Sequence, residues 1–211
     1  MVRGTRLLVA AVLSCCVTLG CAAPFDDEPV SDDAHFAAAR VLETNDAGAR
    51  PFAIVDKRAA RLYVFDAAGR LLGATPALLG LAPGDTGIAD IARRHPASLA
   101  PHERSTPAGR FESQPGHNDK GEAIVWVDYE ASLAIHRLRP APASERREAR
   151  LASPVAADHR ISFGCIVVPV AFYESVVAPT LGRLRGVVYV LPETRPVQSM
   201  FDSLEAALLA P

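Results

Sequence analysis

Only one cysteine lies beyond residue 21 of this 211-residue chain: Cys165, within Arg160-Ile161-Ser162-Phe163-Gly164-Cys165-Ile166-Val167-Val168-Pro169. The other three, Cys15, Cys16 and Cys21, sit in an apolar N-terminal stretch laid out like an export signal. An exported chain left with one cysteine has no intramolecular disulfide to form, and a free thiol kept in an oxidising compartment points to chemistry. The ordinary role of a lone cysteine is that of a small buried hydrophobe. The alternative is attack of its thiolate on a carbonyl carbon.

A thiol needs a base to attack at neutral pH, and histidine is the natural one. The chain has six. His35 falls in a presumed early helix, and His95, His102 and His117 fall in polar loops, so all four read as surface residues. His159 is close to Cys165 in sequence but lies in a polar run and reads as solvent-exposed. His136 ends the apolar run Ala131-Ser132-Leu133-Ala134-Ile135, where a strand leaves the core. On periodicity alone, a base aimed at a reactive loop and a satisfied edge histidine are equal readings. No His-x-His, Cys-x-x-Cys or His-Glu-x-x-His spacing occurs, so no metal site is expected.

The elements that must position these residues are mostly strands. Phe52–Asp56 and Arg61–Asp66 are β-rich runs joined by a polar turn over 57–60, which implies a hairpin. Leu71–Leu79 reads as a third strand, 82–87 as a loop, and Thr106–Phe111 as the start of another extended segment. Strands are expected at 124–129, 133–136 and 186–191. Helices are expected at His35–Leu42, around Glu145–Leu151, at Ala171–Leu181 and at Val197–Leu209. Many strands and few helices imply a mainly-β domain.

Met1 to Ala23 has a basic start (Arg3, Arg6), an uncharged run from Leu7 to Leu19, and small residues at its end. This predicts a signal peptide over 1–23, since the apolar run is short for a membrane span. Val17-Thr18-Leu19-Gly20-Cys21 also resembles a lipobox, so lipidation at Cys21 and plain secretion both stay open. Residues 24–34 are acidic and Pro-containing, and 24–50 are expected to form a tether and a short helix. The net charge of −2 argues against a nucleic-acid surface and against attraction to acidic membranes.

Taken together, Leu133-Ala134-Ile135-His136 and Ser162-Phe163-Gly164-Cys165-Ile166 resemble the catalytic domain of bacterial L,D-transpeptidases. That family carries a His at a strand end, then Ser/Thr-His-Gly-Cys-apolar-Asn/Arg. Ala53-Ile54-Val55-Asp56 with Leu62-Tyr63-Val64-Phe65 resembles its first hairpin, and Thr106-Pro107-Ala108-Gly109-Arg110-Phe111 its Thr-Pro-x-Gly-x-Phe segment. The resemblance spans 51–192, leaving 193–211 as a C-terminal amphipathic helix. Phe163 and Val167 depart from the pattern, standing where the family has His and Asn or Arg. His136 and Cys165 are 29 residues apart, about a dozen more than is usual, which implies a loop insertion at Pro140–Asp158.

The resemblance implies a β-sandwich or barrel-like sheet with a few short helices. It implies an enzyme with Cys165 as nucleophile and His136 as base. Its reaction would be acyl transfer between peptidoglycan stem peptides through a thioester, releasing D-alanine and forming an L,D-crosslink without metal or organic cofactor. Gly164 and Ser162 would support the oxyanion and the loop. Arg160 is our candidate for the cationic role lost at Val167, and Arg137 and Arg139 are candidates for contact with stem carboxylates. The expected partners are stem peptides, not nucleic acid, and a membrane only through a lipid anchor. The expected location is periplasmic or secreted, or outer-membrane-anchored if Cys21 is lipidated. Two other functions stay open: a non-catalytic member that binds wall peptides or a partner, and a carboxypeptidase or amidase using the same thiol.

Overall fold

The structure is a computed structural model that describes Phe25 and residues 28–88, 91–94 and 98–209. The expected signal peptide, Cys21 and His95 lie outside the described residues. Ten strands are described: β1 (Phe52–Asp56), β2 (Arg61–Phe65), β3 (Leu71–Pro76), β4 (Leu79–Gly80), β5 (Gly109–His117), β6 (Ala123–Asp128), β7 (Leu133–Arg137), β8 (Arg160–Ser162), β9 (Ile166–Val168) and β10 (Gly186–Val190). Eight of them form one curved, nearly closed sheet in the order β3-β2-β1-β10-β5-β6-β7-β9, and β4 pairs with β8 beside it. β1 runs parallel to β10, and β7 parallel to β9; the other neighbours in the large sheet are antiparallel. The protein is mainly β.

The sheet has a core on each face, so its central strands are buried throughout rather than alternating. One set of side chains (Val55, Leu62, Val64) meets Val125, Ile135 and Ile166 from the far end of the curved sheet. The intervening set (Phe52, Ile54, Tyr63, Phe65) packs under α1 (Asp32–Thr44) and α4 (Gln198–Leu209). Aromatic rings dominate there, with Phe52 stacked on Phe65 at 4.5 Å and Phe25 edge-on to Tyr63 at 5.2 Å.

Several expectations change. The described part of the presumed tether is a piece of the domain: Phe25, Ala34, Ala37, Ala38 and Val41 are buried in the second core. Acidic and Pro-containing residues suggested a solvated segment, but small residues at helical spacing also suit close packing on a sheet. α1 is longer than the expected 35–42. Ser31 caps it by accepting from the Ala34 amide at 3.1 Å, while its hydroxyl donates to the Asp56 carboxylate at the first hairpin. The expected single strand over 71–79 divides into β3 and β4, with β4 leaving the main sheet to meet β8. The expected helix over 171–181 is a short α3 (Val170–Phe172) running into one π-turn (Tyr173–Val177). β8 and β9 were not read from sequence, being three residues each.

Candidate active site

Two parallel neighbours, β7 and β9, bring the motif together. His136 pairs in register with Val167, and Cys165 immediately precedes β9. The segment between them leaves the sheet, forms α2 (Arg147–Leu151), and returns through a 3₁₀ turn (Ala156–His159). His136, Cys165, Ser162, Phe163 and Val167 therefore share a cleft of about 300 Å³ with Ser132. Ile91 and Leu99 add apolar wall, and Arg94, Arg139 and Arg147 add positive charge.

His136 is buried, and its Nδ1 lies 2.8 Å from the Arg137 carbonyl oxygen. A carbonyl only accepts, so Nδ1 carries the ring proton and Nε2 keeps its lone pair. Burial pushes its pKa down to about 4; the hydrogen bond and Glu122 oppose the shift, and Arg139 and Arg147 add to it. The Cys165 Sγ is 3.5 Å from the Ser132 carbonyl oxygen, and Ser132 has φ 49°. Burial pushes the thiol pKa up, against the Ala134 amide and the Arg139 charge, which favour thiolate. At neutral pH the resting pair is thus thiol and neutral imidazole rather than an ion pair.

The loop carrying Cys165 is tightly tied. Ser162 Oγ accepts from the Gly164 amide at 3.1 Å and donates to the Cys165 carbonyl at 2.6 Å. Gly164 has φ 136°, and a Cβ there would lie 2.8 Å from the Ser105 carbonyl oxygen, so only glycine fits without movement. Its own carbonyl accepts from Thr106 Oγ1 at 2.8 Å, and that oxygen accepts from the Gly80 amide at 2.9 Å. Thr106 is the first residue of the Thr-Pro-x-Gly segment and is fully buried.

Behind Thr106 lies a buried charge network. Lys57, read from sequence as part of a polar turn, is fully buried. Its Nζ donates to the Thr106 carbonyl at 2.9 Å and to Asp85 Oδ1 at 2.8 Å, and lies 3.4 Å from Glu193 Oε1. Burial pushes its pKa down, and the Asp85 and Glu193 carboxylates hold it up. Arg160 belongs to this network and not to the cleft: its Nη2 reaches the Lys57 carbonyl at 2.9 Å and the Glu193 carboxylate at 2.5 Å. Arg137 is also turned away, paired with Glu122 at 3.0 Å and Glu174 at 3.8 Å.

His159 is buried rather than solvent-exposed, with Nε2 3.0 Å from the Ser153 carbonyl oxygen, and it serves the excursion between β7 and β9. Phe163 is 39% exposed, with the Arg104 guanidinium 4.7 Å above its ring. Sequence reasoning gave no role to Ser132, Arg94, Arg147, Thr106, Lys57 or Asp85. Thr106 alone carried a signal, through its segment; the others reach their places by long-range packing. Among the described residues, no group of three or more His, Cys, Asp or Glu could hold a metal ion, and no helix is long and apolar enough to cross a membrane.

No protein-family model matches the chain, and no curated protein matches it. Among solved structures, it is similar to the LD transpeptidase LdtMt1 in complex with imipenem, at 18% identity and TM-score 0.34, over 67% of this chain and 58% of that one. It is similar to the catalytic domain of the E. faecium L,D-transpeptidase, at 17% identity and TM-score 0.38, over 68% of this chain and 98% of that one. A third likeness is to an L,D-transpeptidase from Xylanimonas cellulosilytica, at 15% identity and TM-score 0.39, over 67% and 60% of the two chains. The chain thus spans under two thirds of the length of the first and third of these. With identities of 18% or less and TM-scores of 0.39 or less, the likeness is one of fold and carries no argument about residues or reaction.

Proposed function

We propose that this protein is an exported cysteine acyltransferase acting on peptidoglycan stem peptides. The observation that carries the reading is the meeting of Cys165 with a base-competent His136 in one cleft, from segments 29 residues apart. Cys165 Sγ attacks the carbonyl of the stem residue before the terminal D-alanine, and its proton passes to His136 Nε2. The tetrahedral oxyanion collapses, the C–N bond breaks, and the D-alanine amine leaves with that proton. The amine of a second stem then attacks the thioester and gives its proton to Nε2; the C–S bond breaks, and the leaving Cys165 thiolate takes that proton back. Because the Gly164 amide is committed to Ser162, the oxyanion donor in this reading is the Cys165 amide, aimed by the turn that Gly164 permits. Arg160 positions the loop from behind and does not touch substrate. Water as acceptor would make the same site a carboxypeptidase.

The rival reading, a non-catalytic wall-peptide binder, draws on the neutral resting state of both groups and on Phe163. The two are separated by intact-protein mass spectrometry of the full chain with a disaccharide-tetrapeptide and, separately, a carbapenem, using Cys165→Ala as control. Acyl transfer predicts a Cys165-dependent adduct and free D-alanine. A folded protein with a titratable thiol and no adduct from either compound would sink it in favour of the binder.

A further inference from the structure

Three arginines line the cleft, and their ion pairs differ. Arg94 spends both outer nitrogens on Glu103, at 2.6 and 2.9 Å. Arg139 and Arg147 each meet a carboxylate through the inner nitrogen: Arg139 Nε lies 2.5 Å from Glu122 Oε2 as an ion pair without hydrogen-bond alignment, and Arg147 Nε donates to Glu145 Oε2 at 2.5 Å. Among the described residues, the Nη groups of these two make no hydrogen bond. Their edge is the one that grips a carboxylate in a fork.

The two approach from separate elements. Arg139 follows β7, three residues past His136, and Arg147 opens α2 in the excursion between the site strands. Arg146, just before it, holds φ 48°, a conformation uncommon for a residue with a side chain. Glu122 divides its charge between Arg137 and Arg139, so it neutralises neither fully. Both side chains are partly withdrawn from water, at 36% and 16% exposure, which lowers local screening. Their charges also reach the reacting pair, since both disfavour protonated His136 and Arg139 favours the Cys165 thiolate.

We propose that Arg139 and Arg147 together form a carboxylate subsite beside Cys165, selecting substrates with a free carboxylate near the carbonyl under attack. This deepens the acyltransfer reading by assigning donor specificity, and part of it can be tested without that reading. The probes are iodoacetate and iodoacetamide, which differ in one negative charge. Each alkylates the thiolate with loss of iodide, so changes in thiol pKa cancel in the ratio of their rates. Rates at Cys165 are followed by peptide mass spectrometry in the full chain, in Arg139→Gln, Arg147→Gln and the exposed remote control Arg185→Gln. The expected result is a fall of roughly tenfold in the iodoacetate-to-iodoacetamide ratio for each cleft variant and none for the control. Arg147→Lys, keeping charge without the fork, should fall in between. An unchanged ratio in both cleft variants, an equal fall in the control, or a wild-type Cys165 that neither reagent reaches overturns the subsite. The donor arm compares tetrapeptides with a free and an amidated carboxylate on the acyl residue. No acylation by either, with the iodoacetate preference intact, removes the acyltransfer reading and leaves the subsite standing.

Discussion

Lys57→Met tests whether the buried charge network holds the nucleophile loop. Methionine fills much of the space of the Lys stem but removes the ammonium. Glu193 keeps Arg160 as a partner at 2.5 Å, so Asp85 loses most. Asp85 still accepts from the Glu193 and Thr194 amides at 2.8 and 3.0 Å, which puts its share at the low end for a broken buried pair, about 3 kcal/mol. The carbonyls of Gly84 and Thr106 also lose their ammonium donor, at about 1 kcal/mol each less partial rehydration. A total near 4 kcal/mol should lower the urea midpoint by about 2 M at neutral pH, with little change in slope. Asp85→Asn added to Lys57→Met should recover about 1–3 kcal/mol, because the orphaned charge is gone. Carbapenem acylation should slow in Lys57→Met even where the chain stays folded, since Thr106 carries Gly164. A loss under about 1 kcal/mol, or no recovery in the double variant, would refute the reasoning.

Four further outcomes follow from the site. His136 has a folded pKa of about 4 against an ordinary 6.5, so the unfolded chain takes up the proton first as pH falls. Its contribution is complete above pH 6.5 and is lost toward pH 4, up to about 3 kcal/mol; a wild-type-minus-His136→Gln stability difference that stays flat across that window contradicts this. His136→Ala should slow thioester formation about 10²–10⁴-fold in stopped-flow acylation, and normal acylation there, with loss in His159→Ala, would move the base to His159. Gly164→Ala meets the Ser105 carbonyl and a positive φ, and should cost about 1–3 kcal/mol and most acylation; wild-type thermal stability would count against the tight turn. Phe163→His should leave stability within about 0.5 kcal/mol by urea titration, because the ring is 39% exposed.

Local sequence determined the hairpin of β1 and β2, the strands β6, β7 and β10, and the terminal helix. In each, β-branched residues, helical periodicity or a turn residue fixes short-range geometry without help from distant contacts. It also singled out Cys165, the one cysteine beyond residue 21; the weight put on His136, Ser162 and Gly164 comes from the family resemblance, since on periodicity alone His136 reads equally as an edge histidine. Tertiary structure decided the rest. β8 and β9 are three residues each and exist only because Leu79 and Ile135 offer them edges. Lys57 reads as a turn residue until Asp85 and Glu193, from distant segments, supply the charge that lets it be buried. Arg160, three residues from Phe163, is withdrawn from the cleft by Glu193, whereas Arg147 enters it from the excursion between β7 and β9. Which charges face the nucleophile depends on ion pairs between segments far apart in the chain, and neither composition nor spacing encodes those pairings.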